Sequence, residues 1–192
     1  MKSRGFTLIE MATVLAIIST LAAVLTPTVM NFIDHARTTR AIADVRGIAN
    51  AVLLYQRDTG KFPIYSDVSS AGNDTSAATT LVGPGSSPGA AGSWASFNTT
   101  TDLVLSLNQN LLCMSTTGPI GRVSYRGPYI ANVDADPWGN RYVVTASNLT
   151  RSSANWAFVI SAGPNGTLES NPSQTNTGSF LATGDDIIAI IK

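Results

Sequence analysis

A chain that does chemistry with its side chains needs reactive groups within reach of one another, and this one offers few. It holds a single histidine, His35, and a single cysteine, Cys113. One cysteine can form neither an internal disulfide nor a cysteine-based metal site. His35 sits among Asp34, Arg37 and Arg40 with no nucleophile near it, so it reads as a solvated or subunit-facing side chain. No Ser/His/Asp, Cys/His or His-rich arrangement appears elsewhere, and an enzyme is not expected. The carboxylate in an unusual place is Glu10. It is the fifth residue of an apolar run that opens at Phe6. An acid in such a run costs about 2.5–3.5 kcal/mol near a bilayer centre and less near its edge, and usually has a purpose.

The element that holds Glu10 is long. Residues Phe6 to Thr26 form a run of 21 with one charge. As a helix the run spans about 30 Å, the thickness of a bilayer core. Lys2 and Arg4 precede it, and no basic residue follows until Arg37. The positive-inside rule places residues 1–5 in the cytoplasm and the rest of the chain outside it. A secretory signal peptide has a shorter apolar core, about 7–15 residues, followed by a small-residue cleavage site. Here the run instead continues into soluble sequence. A plain membrane anchor fits the length but gives Glu10 nothing to do.

Pro27 interrupts the run, and in a long helix it gives a kink or local unwinding rather than an obligatory end. Beyond it Val29, Ile33, Ala36, Ile42, Val45, Ala49, Val52 and Leu53 recur at helical spacing. Gly60 and then Pro63 stop the pattern. One helix is therefore expected from Phe6 to about Thr59. At about 80 Å it is too long for the core of a small domain, so its front half should project and its rear half should pack on a sheet.

Residues 66–101 have loop composition, rich in Gly, Ser, Thr and Ala, with Trp94 and Phe97 expected to tack them down. A short helix is expected over Leu103 to Leu112. Asn73, Asn98 and Asn148 open glycosylation acceptor patterns. Asp136-Pro-Trp-Gly-Asn140 is a turn, read as structural with Trp138 as its apolar anchor. Arg141–Thr145, Trp156–Ile160 and Ile187–Ile191 read as strands. The fold class is α+β, a long helix on a small antiparallel sheet. The expected organisation is 1–5 leader, 6–26 membrane or filament-core helix, 27–60 second half of the helix, 61–128 variable α–β insert and 129–192 C-terminal sheet. Formal net charge is zero, so nucleic acid is not attracted by bulk electrostatics.

Gly5-Phe6-Thr7-Leu8-Ile9-Glu10 resembles the processing site of type IV pilins and type II secretion pseudopilins. The resemblance implies a membrane peptidase that cuts between Gly5 and Phe6 and methylates Phe6. It implies that Glu10 meets the new ammonium of a neighbouring subunit during assembly. A buried pair of this kind sets register more than it adds stability. Tyr129-Ile130, the Asp136–Asn140 turn, Phe158 to Gly166, Glu169-Ser170-Asn171 and Gly184-Asp185-Asp186-Ile187 narrow the resemblance to the major pseudopilins. That group binds calcium in the corresponding loop. Carried over by position, the ligands are the carbonyl of Ala162, Asn165 in place of the usual aspartate, Asp185 and Asp186. Pro172 to Thr183 is an insertion relative to that pattern, and Asp185-Asp186 also reads as the polar start of a strand.

The resemblance implies a homo-oligomeric filament, with minor pseudopilins, an inner-membrane assembly platform and a prepilin peptidase as partners. It places the chain in the bacterial inner membrane, single-pass with its head in the periplasm, before assembly. Three functions stand at this point. They are a pseudopilus subunit for protein secretion, a type IV pilin of a surface pilus, and a membrane-anchored periplasmic enzyme. One cysteine excludes the two-cysteine loop of many surface pilins.

Overall fold

The computed structural model describes residues 5–59, 62–63, 79–90, 92–95, 97, 100–103, 126–150 and 153–192. Lys2, Arg4, Gly60, Cys113, the Asn73 and Asn98 acceptor patterns, and the expected helix beyond Leu103 lie outside the described residues. Helix α1 runs over Leu8–Thr59 and contains Pro27 without a break in assignment. The chain divides into two compact units, Met1–Arg37 and Thr38–Lys192.

In the first unit the helix is apolar on every face and none of its faces is covered. Phe6 is 76% exposed and Leu8 88%, and Ile17, Leu21, Leu25 and Phe32 are exposed as well. An 18-residue window reaches a mean hydropathy of 2.2, long and apolar enough to cross a membrane. Its hydroxyls turn back on the helix itself. Ser19 Oγ donates to the Leu15 carbonyl at 2.7 Å and Thr20 Oγ1 to the Ile17 carbonyl at 2.8 Å. Thr26 Oγ1 donates to the Ala22 carbonyl at 2.8 Å and Thr28 Oγ1 to the Val24 carbonyl at 3.4 Å, on either side of Pro27. Such back-bonding keeps polar atoms engaged where no water is at hand and where Pro27 brings no N–H.

In the second unit the rest of α1 is one-sided. Ala41, Val45, Ile48, Ala49, Ala51, Val52 and Tyr55 are buried. Leu53, expected in the stripe, is 40% exposed. Its place is taken by Ala41, Ile48 and Tyr55, which keep the three- and four-residue spacing with Val45 and Val52. The stripe faces a five-stranded sheet. Its strands are β1 (Thr80–Val82), β3 (Thr100–Asp102), β4 (Val143–Val144), β5 (Phe158–Ser161) and β7 (Ile187–Ile190), in the order β3-β1-β4-β5-β7. β4, β5 and β7 pair antiparallel, with Val144 opposite Val159 and Ile160 opposite Ile188. β1 joins β4 antiparallel and β3 parallel. The sheet is thus mixed at one edge, and the region read as loop supplies two of its strands. A second pair, β2 (Gly89–Ala90) and β6 (Thr167–Leu168), is parallel.

Side-chain alternation along the strands divides the core. Val144 and Val159 pack with α1 on one face. Val143, Phe158 and Ile160 pack on the other with Trp94, Ala162 and Leu168. Trp94 ties its segment of the 66–101 stretch to the head as expected. Its ring meets Phe158 edge-on at 6.3 Å and its Nε1 donates to the Ser170 carbonyl at 2.9 Å. Phe180, from the Pro172–Thr183 insertion, meets Phe158 at 4.9 Å. The insertion therefore closes the second core instead of standing apart from it. Asn148 is buried, its amide donating to the carbonyls of Trp156 and Pro172, so its acceptor pattern is not available to a glycan. Phe158→Ala should destabilise the head by about 3–5 kcal/mol, a buried aromatic lost on both sides of a cavity. Chemical denaturation of the full chain in detergent, followed by tryptophan emission, reads this directly.

Candidate functional site

Two places in the chain gather chemically meaningful groups. The first is the start of α1. Phe6 and Thr7 are not helical, and Thr7 is the cap. The Glu10 amide donates to Thr7 Oγ1 at 3.3 Å, and Glu10 Oε2 accepts from the Thr7 amide at 3.3 Å. Thr7 Oγ1 also donates to Glu10 Oε2 at 3.3 Å. This is a capping box, in which the hydroxyl at the cap and the acid three residues later satisfy each other's free N–H groups. The signal is in the sequence as Thr-x-x-Glu ahead of an apolar run, and the expectation for Glu10 as an ion partner missed it. The box also explains how a carboxylate is tolerated there. A helix N-terminus carries positive partial charge, and Glu10 lies in the first turn. Gly5 and Phe6 are exposed and precede the helix, so the expected cleavage bond lies in accessible chain ahead of it.

The second place is the turn between β5 and β6 and the loop that leads into β7. The four residues expected to bind calcium lie on these segments, and among them Asn165 contacts Asp185. Ala162 is fully buried at the end of β5. Asn165 donates its amide N–H to Asp185 Oδ2 at 3.0 Å, while its own Oδ1 accepts from the Thr167 amide at 2.7 Å. Asp186 Oδ2 accepts the amides of Glu169 at 2.9 Å and Ser170 at 2.6 Å. Each acid is thus engaged through one oxygen. The other oxygens, Asp185 Oδ1 and Asp186 Oδ1, are buried with no hydrogen-bond partner. Burial raises the Asp186 carboxyl above its ordinary value, and the Glu169 charge adds to the rise. The Ser170 and Glu169 hydrogen bonds oppose it.

The approach is close enough to dictate glycine. At Gly163, φ is +64°, and a Cβ would overlap the Asp185 carbonyl. At Gly184, φ is +68°, and a Cβ would overlap the Glu169 carboxylate. Glu169 and Ser170 are therefore part of this site although neither was expected in it. Ser170 is fully buried, and its Oγ accepts from the Thr183 amide at 2.9 Å. Among the described residues, no three His, Cys, Asp or Glu side chains are arranged around one metal position.

Residues 1–26 match the prokaryotic N-terminal methylation motif. Over most of its length the chain is homologous to type II secretion system core protein G. It is 27% identical to that protein of Escherichia coli (strain K12), with 92% of each chain covered. It is 24% identical to that of Klebsiella pneumoniae, over 88% of this chain and 91% of the other. A stretch of 59 residues, 31% of this chain and 42% of the other, is 42% identical to that of Pseudomonas aeruginosa. No solved structure gives a significant match.

The Asp136–Asn140 turn supports the acidic loop from below. Asp136 is buried, with Oδ1 accepting the amides of Trp138 at 3.0 Å and Asn140 at 2.8 Å. Its Oδ2 accepts from Ser161 Oγ at 2.7 Å, and that oxygen in turn accepts from the Gly163 amide at 3.3 Å. The expected anchor, Trp138, is only half-buried and belongs to neither core. The turn is held by a carboxylate with three donors, which an apolar ring cannot replace. Asp136→Ala should cost about 2–4 kcal/mol, because three donors lose their acceptor in a buried place. Ser161→Ala should cost about 1–2 kcal/mol. Thermal melting of the two single variants and their double tests this, and additive losses would show that the pair does not act as a unit.

Proposed function

We propose that the chain is a pseudopilin, made as a membrane-inserted precursor and assembled as the major subunit of the filament that drives type II protein secretion. The observation that carries this is the joining of a methylation motif on residues 1–26 to a head homologous to core protein G along nearly the whole chain. The physical features agree. An apolar helix exposed on every face needs lipid or other copies of itself around it. Lys2 and Arg4 ahead of it favour a cytoplasmic leader and a head outside the cytoplasm. The work is mechanical, done by polymerisation, with a prepilin peptidase, an assembly platform and minor pseudopilins as partners.

Hydrolysis of the Gly5–Phe6 bond leaves a carboxylate on Gly5 and an amine on Phe6. The amine, protonated and methylated, lies one residue before the cap at Thr7. Glu10 is then placed between two duties. Within its own helix it caps Thr7, and across a stagger it neutralises the ammonium of a neighbour. The mature chain should begin at N-methylated Phe6, read from the intact mass of the purified protein, and an intact Met1 would sink the proposal. The two duties separate by substitution. Glu10→Gln keeps an acceptor for the Thr7 amide but removes the charge, whereas Glu10→Leu removes both. Both should be cleaved normally and both should fail to form filaments. Normal filaments from Glu10→Gln would remove the charge pairing.

Calcium belongs to the acidic loop of this head. Two buried carboxylate oxygens without partners support that reading, because a buried charge without compensation is costly. Calcium takes six to eight oxygens. Asp185 and Asp186 would supply the charged ligands, with the Asn165 amide oxygen and the Ala162 carbonyl as neutral ones. The ion would neutralise the pair and tie the start of β7 to the β5–β6 turn. With an amide at position 165 the affinity should fall in the weak range, about 10⁻⁴–10⁻³ M. A chelator should lower the melting temperature of the full chain in detergent, and Asp186→Asn should abolish that response. No shift on chelation would remove the site.

A further inference from the structure

The head carries a second electrostatic feature, away from the acidic loop. A cleft of about 280 Å³ opens between α1 and the loop around residues 130–134. Its floor is apolar, with Ile48 and Val133. Its charged groups are Arg40, Asp44 and Asp134. The arrangement is not balanced. Arg40 reaches both acids, but loosely, at 3.5 Å to Asp44 and 3.9 Å to Asp134. The buried Tyr142 donates its hydroxyl to Asp44 Oδ2 at 2.9 Å, which fixes that carboxylate at the cleft without adding a charge. Burial and the Asp44 carboxylate push the Tyr142 hydroxyl well above its ordinary value, so it stays a neutral donor. One cation faces two anions, and a negative charge is left over. The volume is too small for a typical small-molecule ligand and suits a long side chain.

A matching cation lies on the same helix. Arg46 is exposed and has no ion pair among the described residues. The neighbouring arginines Arg37 and Arg57 are each paired with an acid on α1, at 3.6 Å and 3.1 Å. Arg46 follows Asp44 by two residues, which at 3.6 residues per turn is about 200° of rotation. Arg46 thus points away from the Asp44 carboxylate, while Ala43 and Gly47 on the near edge of the cleft lie within about 100° of it round the helix. Among the described residues Arg46 makes no ion pair with Asp44 or Asp134 of its own cleft. A second copy can bring its Arg46 there, and its own cleft is then free for a third.

We propose that Arg46 of one copy enters the Arg40–Asp44–Asp134 cleft of the next. The contact is heterologous, with different patches meeting, and such contacts propagate into open filaments when the rotation does not close. It rests on the filament reading above and names a head-to-head contact for it, independent of Glu10 and the membrane segment. Charge-assisted pairing in a partly desolvated cleft sets register and rejects wrong docking. It also weakens with salt.

The test is charge exchange in the full chain, with filaments counted by microscopy and sheared-fraction assay. Arg46 is exposed and the Asp134 side chain is 72% exposed, so neither substitution should touch folding, and melting temperature verifies this. Arg46→Glu and Asp134→Arg should each reduce filament yield about tenfold or more, and the double variant should recover to within about twofold of the unaltered chain. Independently, Arg46→Cys with Asp134→Cys, made with Cys113→Ser, should give a ladder of oxidised multimers. Single variants that assemble normally, or a double variant that neither recovers nor cross-links, overturn the pairing while leaving the filament reading intact. An unaltered chain that forms no filaments removes both.

Discussion

One helix in this chain meets two different surroundings, and most of the structure follows from that. A helix hides its own backbone polar groups, so its side chains alone decide what can surround it. Up to about Ile33 they are apolar on all faces, and its hydroxyls fold back on its own carbonyls. From Thr38 onward the helix is amphipathic, and Val45, Ile48, Val52 and Tyr55 turn one stripe to the sheet. Water suits only the second kind. The first requires an apolar medium, and it requires company of its own chemistry once it leaves that medium. On the filament reading proposed above, composition supplies the drive to assemble, and the charged groups decide the register.

The head must hold that helix firmly with a small sheet, and it does so by burying β5 on both sides. Phe158 and Ile160 face one core and Val159 the other. A strand buried this way leaves no room for loosely placed polar groups at its end. At its C-terminal end, Ser161 hands its hydroxyl to Asp136, and the next residues carry the turn that meets Asp185. The Asp136–Asn140 turn, the β5–β6 turn and the start of β7 are thus one connected network of hydrogen bonds. A change at Asp136 would be felt at the acidic loop through Ser161 and Gly163, with no atom of Asp136 in that loop.

Much of this was legible in the residues. The helix ends where Gly60 and Pro63 predict, the strands at 143–144 and 187–190 fall inside the expected segments, that at 158–161 overruns its segment by one residue, and the turn lies at Asp136. What was not legible depended on partners distant in sequence. Thr80–Val82 and Thr100–Asp102 are three residues each, within Ser- and Thr-rich chain; the first becomes a strand because β4 offers an edge about sixty positions away, and the second because the first then offers its own. The same distance hid the turn's true anchor. Trp138 looked like the group to bury, yet the buried one is Asp136, whose donors come partly from Ser161. Glu169 was quoted for the resemblance but not as a site residue, because its ties to the acidic loop, the amide bond to Asp186 and the close approach of Gly184, exist only in the folded chain.

The Thr7–Glu10 box bears on the assembly proposed above. A carboxylate in lipid is costly unless something answers its charge, and within one chain the answers are two donors and the helix N-terminus. These are partial answers, since hydrogen-bond donors do not cancel a full charge. The hydrolysis proposed at Phe6 would supply a full positive charge in the same place, and only then could Glu10 be neutralised without protonation. The cost of Glu10 is highest for an isolated precursor and lowest beside a processed neighbour. The sequence of events, cleavage first and packing afterwards, is then favoured by electrostatics alone. A subunit that skips cleavage would bring an unanswered anion into an apolar bundle, and the bundle would exclude it.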